Sequence, residues 1–310
     1  MLISEKAKSL VSIIIPNYNH AKFLDERIQS VLNQTYQNFE LIILDDKSSD
    51  NSVEVINQYK DDPRVSSIII NKDNCGSTFK QWYKGIEIAK GEIIWIAESD
   101  DSCAPNMLET LVHGYVENNA VLAFSRSCRY DVEGNKSIYN LQTLLPGNVV
   151  MNGKDFISAY MIQCNAVANA SSVVFNRNIA LGIDKQYMKM QGDGDWLFWI
   201  EMMEHGNVFF STKEQNYFRY HKSNTTKMLG QQGVSAIEHK IIFDYLVNHG
   251  YITNVKNERR KCLNYYLNAE YESHKVRRKV LKLWDKNGIG RLLIFLGNIK
   301  RDLLLFIENI

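Results

Sequence analysis

Cysteine is scarce in this sequence and is not arranged for a zinc site or a disulfide framework. The five cysteines are widely spaced, with no C-x-x-C pair and no cluster of histidine and cysteine; they are Cys75, Cys103, Cys128, Cys164 and Cys262. An odd number at such spacing excludes the usual zinc and disulfide patterns. Free cysteines fit a reducing compartment, so the sequence predicts a cytoplasmic protein.

Long apolar runs and a strong overall charge are also missing. No apolar segment approaches the roughly 18 residues of a membrane-spanning helix. The first ten residues carry Glu5, Lys6 and Lys8 where a signal peptide has its apolar core. We therefore expect neither secretion nor a membrane span. The formal net charge of +1 argues against a nucleic-acid partner bound through overall positive charge.

Glycine-rich phosphate loops are absent as well. No G-x-G-x-x-G follows the first predicted strand, and no G-x-x-x-x-G-K occurs in the chain. These two motifs surround phosphates with backbone amides. If the chain binds a phosphate-bearing ligand, a cation has to meet the phosphate charge.

What the chain does contain is an apolar run, residues 93–97, that ends on Glu98, Asp100 and Asp101. Such a run predicts a strand covered on both faces, in the centre of a parallel sheet. Ligands of such sheets bind beyond the carboxyl ends of the strands. Carboxylates this close repel one another unless a cation lies between them, and oxygen ligands suit Mg²⁺ or Mn²⁺. The alternative is that residues 100–102 cap a helix beginning near Pro105.

A second acid-bearing loop follows another predicted strand. Strands at residues 11–15, 39–44 and 65–70 alternate with helical spacing, which predicts a parallel sheet with right-handed crossovers. Residues 39–44 end on Asp45 and Asp46. Asp46 could accept hydrogen bonds from a base or a ribose, with Tyr18 packing on the base; the alternative is an Asx-turn or a cap before the helix at Val53.

Several segments together resemble the family 2 inverting glycosyltransferases, which have the GT-A fold. They are VSIIIPNYN at residues 11–19, QTY at 34–36, ELIILDDKSSD at 40–50, NCG at 74–76, AKGE at 89–92 and SDD at 99–101. The resemblance implies an α/β fold with a mostly parallel central sheet flanked by helices, followed by a C-terminal helical extension. We expect residues 1–230 to form the catalytic domain and residues 231–310 the helical extension.

The resemblance also implies roles for particular residues. Tyr18 and Asp46 would bind the base, Asp100 would lie near the ribose, and Asp101 would ligate Mg²⁺ or Mn²⁺ on the diphosphate. Glu98 stands at the first acidic position, where the family commonly has aspartate in a D-x-D motif, and it is a second candidate ligand. The full set expected at the nucleotide-sugar is Pro16, Tyr18, Asp46, Asn74, Gly76, Asp100 and Arg219.

A general base for an inverting transfer is expected in the segment GDGDWLFWIE, residues 192–201. Single displacement needs one base on the acceptor hydroxyl. The family has an acid followed by an aromatic-rich helix here, which fits Asp195, with Asp193 as the second choice. The alternative for Asp195 is the N-cap of the helix at Trp196.

After a short predicted strand at residues 208–210, Arg219 and His221 resemble the family's R-x-H. We expect Arg219 to contact the diphosphate or support a loop, and His221 to be a further metal ligand or to meet the diphosphate. A histidine beside aromatic residues is otherwise most often structural.

The C-terminal part is helical and basic. Between Lys256 and Arg301 there are thirteen lysines and arginines against four acids, a difference of nine positive charges. Residues 292–307 place an apolar face at helical spacing. This pairing predicts docking on the inner face of the plasma membrane. The alternative is that this helix packs on the catalytic domain or on a partner.

These observations predict a metal-dependent, inverting transfer of a sugar from a nucleotide-diphospho-sugar, first of all a UDP-sugar, to a hydroxyl acceptor. A glycan or lipid-linked acceptor in polysaccharide or lipid-linked glycan assembly fits the basic extension. One alternative is a sugar-phosphate nucleotidyltransferase, which normally has a glycine-rich basic loop where residues 16–20 have none. The other is a catalytically silent nucleotide-sugar-binding or scaffold subunit.

Overall fold

The structure is a computed structural model that describes residues 9–130, 135–138, 142, 145, 147–219, 225–285, 288 and 292. The chain divides into two compact units. Unit 1 consists of Met1–Met190 and Gly194–Ser223, and unit 2 of Gln191–Asp193 and Asn224–Ile310. The segment of three residues before Gly194 therefore belongs with the C-terminal helices.

Unit 1 begins with four parallel strands joined by helices. The strands are β1 (Val11–Asn17), β2 (Phe39–Asp45), β3 (Val65–Ile70) and β4 (Ile93–Ile96). The helices between them are α1 (Ala21–Leu32), α2 (Ser52–Asn57) and α3 (Thr78–Ile88). Every residue of β1, β2 and β4 is buried, because helices cover both faces of a parallel sheet. The predicted mostly parallel sheet is confirmed in this half.

The remaining strands extend the same sheet with mixed directions. They are β5 (Ser102–Cys103), β6 (Ala120–Tyr130), β7 (Lys136–Ile138), β8 (Val149–Asn152), β9 (Val173–Asn176) and β10 (Asn207–Arg219). The main order is β3-β2-β1-β4-β9-β6-β10-β5, with β7 on β6 and β8 on β10. Strand β9 is antiparallel to both β4 and β6, whereas β10 is parallel to β6.

Strand β10 is much longer than the predicted residues 208–210. The polar residues Thr212, Lys213 and Glu214 interrupt its apolar pattern, and the register against β6 shifts between Ser211 and Glu214 and again before Asn216. These irregularities let the strand continue to Arg219, which brings that residue to the acids that follow β4.

Helices of unit 1 bury apolar faces against the sheet. They include α4 (Met107–Glu117), α5 (Gly153–Phe156), α6 (Arg177–Gly182) and α7 (Gly194–Met203). Helix α1 buries Leu24, Ile28 and Val31 at helical spacing, while α7 is buried along almost its whole length. Rings of Trp82, Phe198 and Trp199 meet on the α3 and α7 side, where the Trp82 centroid lies 5.9 Å from that of Phe198 and 5.9 Å from that of Trp199.

Unit 2 consists of helices in its described residues: α8 (Thr225–Gln231), α9 (Val234–Asn248), α10 (Val255–Leu267) and α11 (His274–Trp284). Trp284 stacks on Tyr266 with ring centroids 5.5 Å apart and also contacts Phe243 and His239. The predicted apolar face at residues 292–307 lies outside the described residues except for Leu292. Among the described helices, none combines the length and the apolar character that crossing a bilayer requires.

Candidate active site

The three acids lie in a loop that begins where β4 ends. The Ala97 amide still donates to the Ile14 carbonyl at 2.8 Å, and the Asp101 amide turns back to the Glu98 carbonyl at 3.2 Å. The alternative that residues 100–102 cap a helix near Pro105 is wrong, because Ser102 and Cys103 form β5 and the helix begins only at Met107. The acids therefore lie at the carboxyl end of a central strand.

Asp101 is a buried carboxylate, only 1% exposed, with several hydrogen bonds. Its Oδ2 accepts from Ser171 Oγ at 2.7 Å and from Asn169 Nδ2 at 2.9 Å, and its Oδ1 accepts from the Arg219 amide at 3.1 Å. Burial, followed by the negative charge of Asp100, raises the pKa of Asp101 to about 6. The side chain is thus fixed in place, and its burial makes the ionised form less favourable than it is in water.

Arg27 supplies a buried positive charge beside Asp101, although no motif in the sequence marks it. It is fully buried on the apolar face of α1. Its Nε donates to the Glu98 carbonyl at 2.8 Å, and its Nη2 lies 4.0 Å from Asp101 Oδ2 without a hydrogen-bond partner among the described residues. The signal was available, since Arg27 stands three residues after Leu24 and four before Val31, on the face that must be buried.

Glu98 follows the same strand but contacts a different element. Its Oε1 accepts from Trp82 Nε1 at 2.7 Å, and its amide donates to Ser171 Oγ at 3.0 Å. Burial and then the charge of Asp100 raise the pKa of Glu98 to about 8. A divalent cation would oppose both shifts, because it stabilises the ionised carboxylates.

The donor set fits a hard cation but does not form a complete shell. Carboxylate oxygens are the ligands that Mg²⁺ and Mn²⁺ prefer, and Mg²⁺ usually takes only one or two from the protein. Within the described part of the chain, no group of three or more His, Cys, Asp or Glu side chains is placed to hold a metal ion. His221, the third expected ligand, lies outside the described residues.

Arg219 lies at the end of β10, and its side chain contacts the loop that carries Asp100 and Asp101. Its Nε donates to the Asp100 carbonyl at 3.0 Å, and its Nη2 pairs with Glu26 Oε2 at 2.6 Å. Its guanidinium lies 4.6 Å from the ring centroids of both Phe23 and Tyr130. These are contacts of a residue that supports a loop, which is one of its two expected roles.

The second acid loop is built by Asp45, which is fully buried. Its Oδ1 accepts from the Ser48 amide at 2.8 Å, and its Oδ2 accepts from Asn17 Nδ2 at 2.8 Å. The bond from Ser48 to Asp45 spans three residues, so it closes this turn without being the Asx-turn considered for Asp46, which would bond the amide two residues on. Asp50 accepts from the Ser52 amide at the start of α2.

Asp46 instead fixes the segment after β3. Its Oδ1 accepts from Asn71 Nδ2 at 2.6 Å, from Gln81 Nε2 at 2.8 Å and from the Cys75 amide at 3.0 Å. This carboxylate shapes the loop containing Asn74, whose Oδ1 accepts from the Gly76 amide at 2.6 Å. Gly76 has φ +65°, a conformation that favours glycine. Asn74 and Gly76 are exposed.

Two further expected residues lie at the end of β1. Pro16 is the sixth residue of the strand, opposite Leu44 of β2 and beyond the last residue of β1 that pairs with β4. Its missing amide hydrogen therefore leaves the pairing with β4 intact. Tyr18 follows the strand and is 48% exposed.

Asp195 is the second residue of α7, not the residue before the helix, so the N-cap alternative is not met. Its Oδ1 accepts from the Trp196 amide at 2.7 Å, and its Oδ2 accepts from Asn165 Nδ2 at 3.0 Å. The preceding Gly194 has no room for a side chain, since a Cβ would lie 2.6 Å from the Phe79 ring and 2.7 Å from the Tyr187 carbonyl. Asp193, the second choice, belongs to unit 2.

Residues 165–171 form hydrogen bonds with both Asp101 and Asp195. Asn169 and Ser171 bind Asp101, whereas Asn165 binds Asp195. The sequence analysis missed all three, because asparagine and serine in an irregular segment carry no distinctive pattern. The structure brings Glu98, Asp100, Asp101 and Arg219 into one cluster, and it places Asp46, Asn74 and Gly76 in a second cluster around the loop after β3.

Comparison with known proteins agrees with this architecture. The chain is 39% identical over 132 residues to glycosyltransferase GlyG of Streptococcus pneumoniae serotype 4, which covers 42% of this chain and 43% of GlyG. It is 31% identical over 218 residues to the poly(ribitol-phosphate) beta-N-acetylglucosaminyltransferase TarP of Staphylococcus aureus, covering 67% of this chain and 62% of TarP. The chain thus spans less than two thirds of the length of either relative.

A solved structure of S. aureus TarS, residues 1–349, in complex with UDP-GlcNAc superposes with a TM-score of 0.57. The match covers 90% of this chain and 74% of that chain at 15% identity, so it bears on the fold alone. The predicted transferase fold is confirmed. The model of the family named "Glycosyl transferase family 2" matches residues 12–174, which are 163 of the 310 residues, and the chain therefore belongs to glycosyl transferase family 2.

Proposed function

We propose that this chain transfers a sugar from a nucleotide-diphospho-sugar to a hydroxyl acceptor, with inversion at the anomeric carbon. The observation that carries the proposal is Asp101, buried at the carboxyl end of β4 beside Glu98 and Asp100. Burial raises the pKa values of Glu98 and Asp101, and carboxyl groups perturbed in this way favour a site for a cation and its anionic ligand. A structural role alone gives no reason to place three acids there.

Asp101 and Glu98 would hold Mg²⁺ or Mn²⁺, with His221 as a further ligand. Such an ion, when bound, offsets the charge that develops on the diphosphate leaving group. Asn169, Ser171 and Arg27 keep the Asp101 carboxylate in one orientation. Their placement supports a site that would be formed before the donor binds.

The nucleotide would lie along the carboxyl ends of β1, β2 and β4. The half-exposed Tyr18 ring offers a surface for the base, and Asp46, with Asn74 and Gly76 on the loop it holds, forms the opposite side. Asp100 would contact the ribose, and Pro16 would line the nucleotide site. Arg219 would support the loop of Asp100 and Asp101 or contact the diphosphate. TarS, which shares the fold, was solved with UDP-GlcNAc, and this favours a UDP-sugar donor.

Asp195 would act as the general base. Its carboxylate accepts the proton of the acceptor hydroxyl as that oxygen forms a bond to the anomeric carbon. The bond from this carbon to the diphosphate breaks, and its electron pair leaves with the nucleoside diphosphate. Because a single displacement occurs on the opposite face, the configuration inverts.

A cell-surface polymer is the acceptor class we favour. TarP, by its name, acts on poly(ribitol-phosphate), and polymers of this kind present many hydroxyl groups. We propose a cytoplasmic location with the basic extension on the inner face of the membrane. Membership of a transferase family speaks against the silent scaffold subunit and against the nucleotidyltransferase.

The test is release of nucleoside diphosphate from a panel of nucleotide-sugars with Mn²⁺, with and without acceptor. Asp101→Ala should abolish Mn²⁺-dependent donor binding in calorimetric titration. Asp195→Asn should keep donor affinity and lower turnover by about a hundred- to ten-thousand-fold, as expected for a lost general base. A chain that binds donor but never releases nucleoside diphosphate is a scaffold, and the proposal would then be wrong.

A further inference from the structure

Glu238 of helix α9 binds three consecutive backbone amides. Its Oε1 accepts from the Gln191 amide at 2.5 Å, and its Oε2 accepts from Gly192 at 2.9 Å and from Asp193 at 2.8 Å. The residue is only 5% exposed. All four residues belong to unit 2. No sequence motif pointed to Glu238, because its partners lie 45 to 47 residues earlier in the chain.

Three successive amides that converge on one anion form a concave backbone site of the kind that binds phosphates in other proteins. Here the anion is a carboxylate of the same chain. Hydrogen bonds to an ionised acceptor are roughly twice as strong as neutral ones. Three of them converge on one buried side chain, so they hold the backbone of residues 191–193 against Glu238.

Gly192 contributes to this arrangement. A Cβ at that position would lie 2.9 Å from Leu229 Cδ1 and 3.6 Å from Glu238 Oε2. A side chain would therefore collide with the Leu229 methyl group, whereas 3.6 Å from the Glu238 oxygen is an ordinary van der Waals contact. Glycine at this position thus lets Leu229 pack beside the backbone that Glu238 binds.

The amides bound by Glu238 stand two to four residues before Asp195. Asp193 is followed by Gly194, which has no room for a Cβ, and then by Asp195 in the first turn of α7. The backbone that Glu238 binds therefore leads along the chain, through Gly194, directly into the first turn of α7. A shift of about 1 Å in a catalytic group can cost about a hundredfold in rate.

We propose that Glu238 is a positioning residue for the transfer reaction: by binding the amides of residues 191–193 it sets the position of the general base Asp195. The inference rests on the proposed function, in which Asp195 takes the acceptor proton. Glu238 itself does not touch the substrate. It acts on kcat through Asp195 and leaves donor binding unchanged.

The experiment compares Glu238→Gln with Asp244→Asn in the full chain. Both variants replace a carboxylate on α9 by an amide, but Asp244 is exposed and forms an ion pair with Lys240 on the same helix. Glu238→Gln retains one acceptor oxygen, so we expect folding to survive and kcat to fall by about tenfold. The donor KM and the Mn²⁺-dependent donor affinity should not change. Asp244→Asn should match the wild type in all of these measurements.

A double variant isolates the route of the effect. In the Asp195→Asn background, Glu238→Gln should lower the residual rate by less than about twofold, since coupled residues are not additive. A full tenfold loss in that background would overturn the proposal, because Glu238 would then act independently of Asp195. An unchanged kcat for Glu238→Gln in the otherwise native chain would overturn it too.

Hydrogen exchange gives a readout that does not depend on activity. Glu238→Gln should speed the exchange of the amides of residues 191–193 while leaving those of α7 unchanged, and unchanged exchange at all of them would overturn the proposal. A different measurement, the activity of Asp195→Asn, shows whether the proposed function itself is wrong. If Asp195→Asn alone keeps full activity, the base assignment is wrong, and the Glu238 proposal falls with it although the exchange result still stands.

Discussion

Asn165 and Asn169 stand four residues apart and bind the two carboxylates on which the proposed reaction depends. Asn165 Nδ2 donates to Asp195 Oδ2 at 3.0 Å, and Asn169 Nδ2 donates to Asp101 Oδ2 at 2.9 Å. The same short segment thus orients the proposed base and the proposed metal ligand. A single backbone shift in residues 165–169 would disturb both.

Replacing each asparagine by alanine should separate the two roles. Asn165→Ala should lower kcat with donor affinity intact, and Asn169→Ala should weaken Mn²⁺-dependent donor binding. A hydrogen bond to a charged group contributes about 1.5–3 kcal/mol, so each effect should be about ten- to a hundredfold. Steady-state kinetics and calorimetric titration provide the two measurements.

Asn268→Ala is the matched control, since Asn268 is exposed and, among the described residues, its side-chain amide donates to the Asn264 carbonyl of α10. It should leave kcat and donor affinity unchanged. If Asn165→Ala weakened donor binding as much as Asn169→Ala does, the division of roles between them would be wrong.

Buried Arg27 gives a prediction on stability. Removing one partner of a buried ion pair costs about 3–5 kcal/mol, because the other charge is left uncompensated. Arg27→Met should therefore lower the free energy of unfolding by that amount, measured by urea denaturation without metal. In the Asp101→Asn background the same change should cost much less, because the uncompensated charge is gone.

Arg27→Lys serves as the control for charge, since it keeps the cation and loses the Nε bond to the Glu98 carbonyl. Its free energy of unfolding should lie between those of the wild type and of Arg27→Met. Equal losses for Arg27→Met in both backgrounds would mean that Arg27 stabilises the fold through packing against Trp95, over which it lies at 5.8 Å, and not through Asp101.

The first half of the fold was predictable from the sequence, and the reason is physical. Strands β1, β2 and β4 are mostly apolar and buried throughout because both faces of the sheet are covered. In the second half the antiparallel β9 and the long β10 follow from pairings between distant segments. Polar residues within β10 also interrupt the sequence pattern that would indicate a long strand. Local patterns carry no information on such pairings.

The residues of the site were likewise only partly predictable from the sequence. The acids at the ends of β2 and β4 were visible because a polar cluster stops an apolar run. Asn169 and Arg27 were not, since their partners lie 68 and 71 residues away in the chain. Residues that orient an acid are chosen by tertiary geometry, so an unremarkable side chain can fill the role.

Glu201 of α7 predicts a dependence of stability on pH. It is buried and accepts from the Asp184 amide at 2.9 Å. Burial, which outweighs that hydrogen bond, raises the pKa of Glu201 from 4.5 to about 7. A raised pKa in the folded state means that its contribution to stability is complete below pH 4.5 and is lost as the pH rises through about 7.

Glu201→Gln should remove this loss, because the amide keeps an acceptor for Asp184 and carries no charge. The variant should be more stable than the wild type by up to about 3 kcal/mol at pH 8.5, and the difference should shrink toward zero near pH 4.5. Urea denaturation at a series of pH values measures it. The exposed Glu117→Gln should show no such trend, and a Glu201→Gln difference that is constant with pH would contradict the prediction.

The basic surface of helix α11 allows a test of membrane docking. Its apolar side packs within unit 2, with Val280, Leu281 and Trp284 buried, so this helix can contribute charge but no inserted apolar face. Its basic residues Lys275, Arg277, Arg278, Lys279 and Lys282 are exposed. A basic residue near an anionic lipid surface contributes about 1 kcal/mol.

Changing Arg277, Arg278 and Lys279 to glutamate should therefore weaken binding to anionic liposomes by more than about a hundredfold. Co-sedimentation of the full chain at low salt measures this, and neutral liposomes should pellet neither protein. Added salt should release the wild type, since a surface charge attraction is screened over about 10 Å at 0.1 M. Equal pelleting of both proteins on anionic liposomes would place the contact elsewhere in the chain, and no pelleting of the wild type would mean that the basic helices are merely solvated.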